Sequence, residues 1–127
     1  MQSLTDLVTQ YRRLLENGDN LVVIDTFYDE CIVQVENDEP PVTGKPMLRQ
    51  LEIQNLVKVT ACRQLITTLL IDERQGFVMG EMTIAFTSKT SGHCQLNQAF
   101  VQHWRNGKIV YQRFYYGGFV PGDAATR

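Results

Sequence analysis

Apolar residues change their spacing about halfway along the chain, and the change predicts helices followed by strands. Between Leu4 and Leu15 they recur at steps of three and four, which is typical of an amphipathic helix. Gly18 follows as a residue that can end this helix in a left-handed conformation. The same spacing, over shorter stretches, predicts a second helix at residues 20–28 and a third at Lys45–Leu56.

The second half of the chain has the alternation and the β-branched residues of strands. Strands are predicted at residues 31–36, 57–71 and 77–88. The strongest local signal is a long hairpin over residues 95–119, which turns at Asn106-Gly107. Asn-Gly between two aromatic, β-branched runs is the dipeptide that tight β-hairpins favour. Two arms of this length predict a curved sheet.

The predicted order of helix, helix, strand, helix and then four strands indicates an α+β fold. We expect a curved antiparallel sheet with the three N-terminal helices packed on its concave face. The length of 127 residues fits one domain with its own core. This domain is expected over residues 1–120, and residues 121–127 are expected to be a frayed tail or one exchanged with a partner.

Composition and charge then narrow the class of protein. A net charge of −2 argues against a nucleic-acid binder, which needs a basic face to replace counterions. No apolar run approaches the ~20 residues of a membrane span, and the N-terminus lacks the pattern of a secretory signal. Cys31, Cys62 and Cys94 are odd in number and far apart, as expected for free thiols in the cytoplasm.

No metal or cofactor site is expected from the candidate ligands. His93 and His103 are ten residues apart, whereas zinc ligands converge at intervals of a few residues. Cys94 follows His93 directly, and neighbours on a strand point to opposite faces, so this pair is a poor nucleophile and base.

Several short motifs, in their order and spacing, resemble one superfamily. They are Tyr11 with the following Leu-Glu-Asn-Gly-Asp, Phe27-Tyr28, Val35-Glu36-Asn37, Pro41 with Thr43-Gly44-Lys45, and Trp104 to Val110 leading to Arg113-Phe-Tyr-Tyr. Together they resemble the nuclear transport factor 2-like superfamily, and within it the SnoaL-like relatives of polyketide cyclases and ketosteroid isomerases. The resemblance implies a cone-shaped sheet around a long helix, a deep apolar pocket, and a dimer through the convex face.

The resemblance carries only part of the ketosteroid isomerase chemistry, in which a carboxylate moves a proton while a tyrosine and a protonated acid stabilise the enolate oxygen. The tyrosine matches Tyr11. The base falls on Val35 and the second acid on Phe100, and neither side chain can fill its role. A one-residue bulge in the strand would bring Glu36 inward instead. Polyketide cyclases and limonene epoxide hydrolases use an aspartate on the late strands, and residues 95–116 contain no Asp or Glu.

Strand alternation, combined with the resemblance, predicts which residues line the pocket. The predicted lining is Phe27, Val35, Met82, Ile84, Phe86, Gln98, Phe100, Gln102, Trp104, Gln112, Phe114 and Tyr116. Aromatic rings with a few neutral polar groups suit a small, mostly apolar or aromatic ligand. The alternative is a filled core in which the glutamines satisfy one another or bound water.

The candidate catalytic residues are Tyr11, Glu52 and Glu36. Tyr11 would donate a hydrogen bond to a carbonyl oxygen, and Gln98 would orient the substrate. Glu52 lies beside the apolar stripe of the third helix; inside the cavity its desolvated carboxylate would be a base. The alternatives are a surface position for Glu52 and a strand-edge position for Glu36.

The convex face of the sheet is the predicted surface for a homodimer. It would present Glu81, Val101, Tyr111, Arg113 and Tyr115, with Glu81 and Arg113 as a cross-strand ion pair. Two classes of function therefore stay open. One is an isomerase, cyclase or hydratase-type enzyme that lacks the usual aspartates. The other is a non-catalytic module for ligand binding or dimerisation.

Overall fold

The computed structural model describes residues 2–118 and 120–121 of the chain. Its elements are α1 (Leu4–Glu16), α2 (Asn20–Phe27), β1 (Tyr28–Glu36), β2 (Val42–Thr43), α3 (Lys45–Leu56), β3 (Val59–Asp72), β4 (Phe77–Ser88), β5 (Gly92–Arg105), β6 (Lys108–Tyr116) and β7 (Val120–Pro121). The three helices and the long strands match the sequence prediction closely. The predicted tail lies outside the described residues, except for Pro121.

Local chemistry explains where the first two helices begin and end. The Ser3 hydroxyl caps α1 by accepting a hydrogen bond from the Asp6 backbone N–H at 3.1 Å. Gly18 has a φ of 86°, which ends α1 as predicted. Tyr28 is already extended, so α2 passes directly into β1 without a loop. The first strand therefore starts three residues earlier than residues 31–36 suggested.

The strands form one seven-stranded curved sheet in the order β2-β1-β6-β5-β4-β3, with β7 paired to β5. This confirms the α+β class with the helices and a curved sheet. The β5–β6 hairpin is confirmed as well: Asn106 and Gly107 both have positive φ, as a tight primed turn requires. One pair differs from the prediction, because β1 and β6 run parallel and make the sheet mixed.

Two short strands were not predicted. Val42 and Thr43 pair with Gln34 and Val33, so β2 extends the sheet beyond β1. In β7, Val120 and Pro121 pair with Gln95 and Cys94 of the same chain. Runs of two residues leave no periodic pattern that sequence analysis could detect.

The end of the cone beside the β5–β6 turn, here called the narrow end, is filled by aromatic side chains. Tyr11, Phe27 and Trp104 contact one another edge to face, with ring centroids 5.6 to 5.9 Å apart. Val8 from α1 and Ile109 from β6 are fully buried in the same cluster. This packing joins α1 and α2 to the sheet. Among the described residues, no helix has the length and apolar character to cross a membrane.

Candidate active site

The opposite end of the cone, here called the wide end, contains a cavity of about 240 Å³. All three helices and strands β1 and β3–β6 contribute to its lining. Its apolar lining includes Leu15, Val23 and Leu96. Its polar lining combines two tyrosine hydroxyls, two carboxylates and several side-chain amides. No lysine or arginine is among the lining residues that the structure describes.

Seven of the residues proposed from sequence lie on this cavity. They are Tyr11, Glu36, Glu52, Met82, Ile84, Gln98 and Phe114. Since they come from α1, α3 and four different strands, only the folded chain brings them together. All three catalytic candidates therefore border the same space.

The predicted position of Val35 in the pocket is wrong. Ile32 is fully buried in the core, and alternation places Gln34 and Glu36 on the same face of β1 as Ile32. Gln34 and Glu36 line the cavity, and Val35 points to the opposite face, where its register partner is Arg113. The pairing of β1 with β6 shifts register between Tyr28 and Val33. The carboxylate on this strand that borders the cavity is Glu36.

Five other predicted lining residues lie in the closed end of the cone. Phe27, Phe100, Gln102, Trp104 and Gln112 are at most 4% exposed, and none of them borders the cavity. The two glutamines bond each other, so the filled-core alternative describes this end correctly. These side chains fill the narrow end, and the cavity lies between them and the wide end.

Phe86 and Tyr116 also differ from the predicted lining. Phe86 lies opposite Cys94 in the sheet, two residues beyond the cavity-lining Ile84. The Tyr116 hydroxyl donates a hydrogen bond to Glu36 Oε1 at 3.0 Å. Burial, reinforced by the Glu36 charge, raises the pKa of Tyr116 to about 12. Tyr116 therefore positions Glu36 from the side of the sheet.

Glu52 projects from α3 toward α2 and borders the cavity. Its Oε2 accepts a hydrogen bond from Asn20 Nδ2 at 2.8 Å, and Gln64 Nε2 donates to Asn20 Oδ1 at 2.8 Å. Burial raises the pKa of Glu52 above its usual value, although the bond from Asn20 opposes the shift. A carboxylate in this setting is a stronger base than one in water.

Tyr11 lines the cavity, and a buried amide holds its hydroxyl. Its oxygen accepts a hydrogen bond from Gln102 Nε2 at 3.0 Å. Burial raises the pKa of Tyr11 to about 12, and the bond from Gln102 opposes that rise. Tyr11 is therefore a neutral phenol at physiological pH, and a neutral phenol can donate a hydrogen bond.

Sequence analysis missed a second tyrosine on the cavity. Tyr28 is the first residue of β1, and its hydroxyl accepts a hydrogen bond from Gln112 Nε2 at 2.7 Å. Burial, with the nearby Tyr11 hydroxyl, raises the pKa of Tyr28. The Phe27-Tyr28 motif contained the signal, but the predicted helix was extended through Tyr28 and hid its strand position. Asn20 and Gln64 left no comparable signal.

The predicted ion pair between Glu81 and Arg113 is wrong. Glu81 pairs in register with Ala99, whereas Arg113 pairs with Val101 in a different row. Glu81 instead accepts a hydrogen bond from the Thr68 hydroxyl at 2.8 Å. Arg113 bonds the loop after β1, through the Asn37 carbonyl and the Asp38 carboxylate.

The histidines and Cys94 lie outside the cavity lining. His103 stacks on Phe77, with the ring centroids 4.6 Å apart. His93 shares a hydrogen bond with the Thr87 hydroxyl, and the Cys94 thiol bonds the Gly92 carbonyl. Among the described residues, no three His, Cys, Asp or Glu side chains are grouped as metal ligands.

Comparison with solved structures shows the same fold in several enzymes and enzyme-like proteins. A protein described as a SnoaL-like polyketide cyclase from Mesorhizobium loti matches with a TM-score of 0.71 at 20% identity, over 91% of this chain and 100% of its own. An LEH-like epoxide hydrolase of M. tuberculosis matches with a TM-score of 0.72 at 18% identity, over 90% of this chain and 78% of its own. A protein described as a polyketide cyclase from Pseudomonas putida matches at 0.71 and 16%, over 92% and 93%.

No protein-family model matches the sequence, and no curated protein is significantly similar to it. The structural matches nevertheless place the chain in a clear architectural class. It has the SnoaL-like, nuclear transport factor 2-like fold that the sequence motifs resembled. At these identities the likeness concerns the fold, and function must be argued from the cavity itself.

Proposed function

We propose that the cavity binds a small, mostly apolar molecule with a carbonyl oxygen and catalyses a proton transfer next to that carbonyl. Isomerase and cyclase-type reactions both contain such a step. The observation that carries the proposal is that Tyr11 and Glu52 line one cavity. The former is a neutral donor, and the latter is a base strengthened by burial.

The size and lining of the cavity restrict the ligand. A volume of about 240 Å³ lies below the ~300–1,000 Å³ typical of pockets for drug-sized molecules. One or two rings suit this space better than a four-ring steroid. The apolar side chains Val23, Ile84 and Phe114 would cover the body of the ligand, and Gln98 would contact a second polar group.

The proposed step moves one proton and leaves the enzyme unchanged. The Glu52 carboxylate takes a proton from the carbon beside the carbonyl. The electron pair of that C–H bond forms a C=C bond, and the π pair of the carbonyl moves onto the oxygen to give an enolate. Tyr11 donates a hydrogen bond to this oxygen, where charge develops. Protonated Glu52 then returns its proton to the same carbon, which gives exchange, or to the γ carbon where a β,γ double bond of the substrate makes the intermediate a dienolate, which gives isomerisation. A base on α3 would thus replace the strand base whose position is occupied by Val35.

Proton exchange tests this proposal directly. Ketones from a panel of steroids, polyketide-like aromatics and terpenoids would first be screened by thermal shift, since a ligand of the native state raises the melting temperature. Bound ketones would then be incubated in D₂O and followed by NMR for deuterium uptake. We expect uptake with the wild type and its loss in the Tyr11→Phe, Glu52→Gln double variant.

A matched variant controls for the loss of a carboxylate. Glu30→Gln changes an exposed glutamate whose side chain is 76% exposed, so it should exchange deuterium at the wild-type rate. Full exchange in the double variant would reject the assignment of Tyr11 and Glu52. Ligand stabilisation without any exchange in the wild type would instead support the non-catalytic binding module.

We also propose that the convex face of the sheet binds a second copy of the chain. Leu70, Met79 and Val101 are neighbours across three strands, and Leu70 and Met79 are 67% and 49% exposed. Tyr115 adds a 45% exposed ring nearby on β6. An exposed apolar patch of this kind is typical of an interface. Sedimentation of Met79→Glu should show a monomer where the wild type is a dimer; a wild-type monomer would contradict the proposal.

A further inference from the structure

We propose that Trp104, acting through Gln102 and Gln112, orients the hydroxyls of Tyr11 and Tyr28 so that both donate hydrogen bonds into the cavity. The pair would select ligands with an acceptor oxygen, such as a ketone. This inference rests on the proposed binding role of the cavity. It adds a second donor, Tyr28, and assigns positioning roles to side chains that never touch the ligand.

The orientation starts from a group that can only donate. The Trp104 indole N–H donates to Gln102 Oε1 at 3.0 Å, and an indole has no acceptor to offer in exchange. The Gln102 amide must therefore turn its oxygen toward Trp104. Its NH₂ group then faces the other way and donates to Tyr11 at 3.0 Å and to Gln112 Oε1 at 3.2 Å.

The same logic fixes the second glutamine. Because Gln112 Oε1 accepts from Gln102, its NH₂ group must face the opposite direction. There it donates to the Tyr28 hydroxyl at 2.7 Å and to Gln34 Oε1 at 2.6 Å. The order of donors is thus one-way, from the indole through two amides to two phenol oxygens.

Burial prevents the amides from turning over. Gln102 and Gln112 are 0% exposed, and Trp104 is 4% exposed. A reversed Gln102 would place its NH₂ group against the indole N–H, so that two donors would face each other without an acceptor. Such an unpaired buried group is costly, so a single orientation dominates.

Each tyrosine is left with one proton to donate. Both hydroxyl oxygens already accept from an amide, and in the hydrogen bonds described for residues 2–118 and 120–121 neither hydroxyl is the donor. Both tyrosines border the cavity, so an acceptor atom of a ligand can receive these protons. A ligand carbonyl with its two lone pairs suits two donors, whereas a donor such as an ammonium group does not.

The probe for this arrangement is acetophenone labelled with ¹³C at its carbonyl carbon. With the wild type we expect the bound carbonyl resonance to move downfield of its position in an apolar solvent, because hydrogen bonds polarise the carbonyl. Tyr28→Phe should reduce this shift and weaken binding roughly five- to tenfold, the size of one hydrogen bond. Tyr111→Phe is the matched control, since it removes the same hydroxyl from a residue that is not in the cavity lining, and it should keep the shift.

Gln102→Glu tests the positioning role. A carboxylate at this place can accept from both Trp104 and Tyr11, so it would turn the Tyr11 proton away from the cavity. The expected result is a smaller carbonyl shift, although Tyr11 itself is unchanged. A full wild-type shift in this variant, or no detectable binding of acetophenone by the wild type, would overturn the proposal.

A measurement on the wild type needs neither ligand nor variant. The chain contains one tryptophan, so a single indole N–H resonance reports on Trp104. We expect this proton to exchange with solvent far more slowly than that of free tryptophan and to show contacts to the Gln102 side chain. Exchange as fast as in the free amino acid would show that the indole does not orient Gln102.

The outcomes separate this inference from the proposed reaction. A shifted carbonyl without deuterium uptake would reject proton transfer by Glu52 and leave the paired donors intact. Deuterium uptake with an unshifted carbonyl would reject the paired donors and leave proton transfer by Glu52 intact.

Discussion

The two ends of the cone use the same kinds of side chain in opposite ways. At the narrow end Phe27, Trp104, Gln102 and Gln112 are packed against one another, and each buried amide has its partners. At the wide end Glu52 and Tyr28 border open space. The comparison teaches that paired polar groups stabilise the packed end of this protein, whereas in the proposed function the polar groups on the cavity are the ones that would bind a ligand.

The largest expected effect is at the packed end. Phe27→Ala removes a side chain that is 2% exposed and contacts the rings of both Tyr11 and Trp104. We expect a loss of about 3–5 kcal/mol in the free energy of unfolding. Urea denaturation would measure it, with the exposed Val57→Ala as the control. A loss below about 1 kcal/mol would mean that the aromatic cluster is not packed as described.

A smaller loss is expected from breaking the amide network. Gln112→Leu removes the donor to Tyr28 and the acceptor for Gln102, leaving buried polar groups without a partner. The expected cost is about 1–3 kcal/mol of unfolding free energy. The exposed Gln75→Leu is the matched control and should change stability by no more than about 0.5 kcal/mol. Equal stability of Gln112→Leu and the wild type would show that the network is not needed at this end.

At the wide end we expect a substitution to raise the stability of the protein instead of lowering it. Burial raises the pKa of Glu52 above its ordinary value of 4.5, so this group ionises first in the unfolded state as the pH rises. Ionisation of this group therefore lowers stability through the window from 4.5 up to the raised pKa, and the loss persists above it. Glu52→Gln should be more stable than the wild type at pH 7.

The pH dependence supplies the check. The difference in melting temperature between Glu52→Gln and the wild type should shrink as the pH falls through that window, because Glu52 is then protonated in both states. A gain in stability that is the same at pH 4 and pH 7 would contradict a desolvated carboxylate. Catalysis, where Glu52 is the base, should rise with pH over the same window.

The smallest effect is expected at the rim. Tyr116→Phe removes the hydrogen bond to the exposed Glu36 and should cost at most about 1 kcal/mol. Melting temperatures of the two proteins, compared near neutral pH, would measure it. A loss as large as that of Phe27→Ala would show that the rim is as tightly packed as the narrow end.

Much of the fold was readable from local patterns. The hairpin at Asn106-Gly107 and the helix that ends at Gly18 follow from short-range rules, and both lie where expected. Alternation also assigned Gln98 correctly to the inner face of β5. The face of β1 that points toward the cavity was harder to predict from the sequence. The family resemblance selected Val35, whereas the buried Ile32 on the same strand selects Glu36.

The sequence by itself determined the class of fold, because turn dipeptides and residue periodicity act within a few residues of each other. Only the tertiary structure decided where the cone is full and where it is hollow. It also paired β1 with β6 in parallel and joined Asn20, Glu52 and Gln64 across distances of up to 44 residues in the chain. Hydrogen bonds of this kind depend on the direction and depth of each side chain, which no local pattern records.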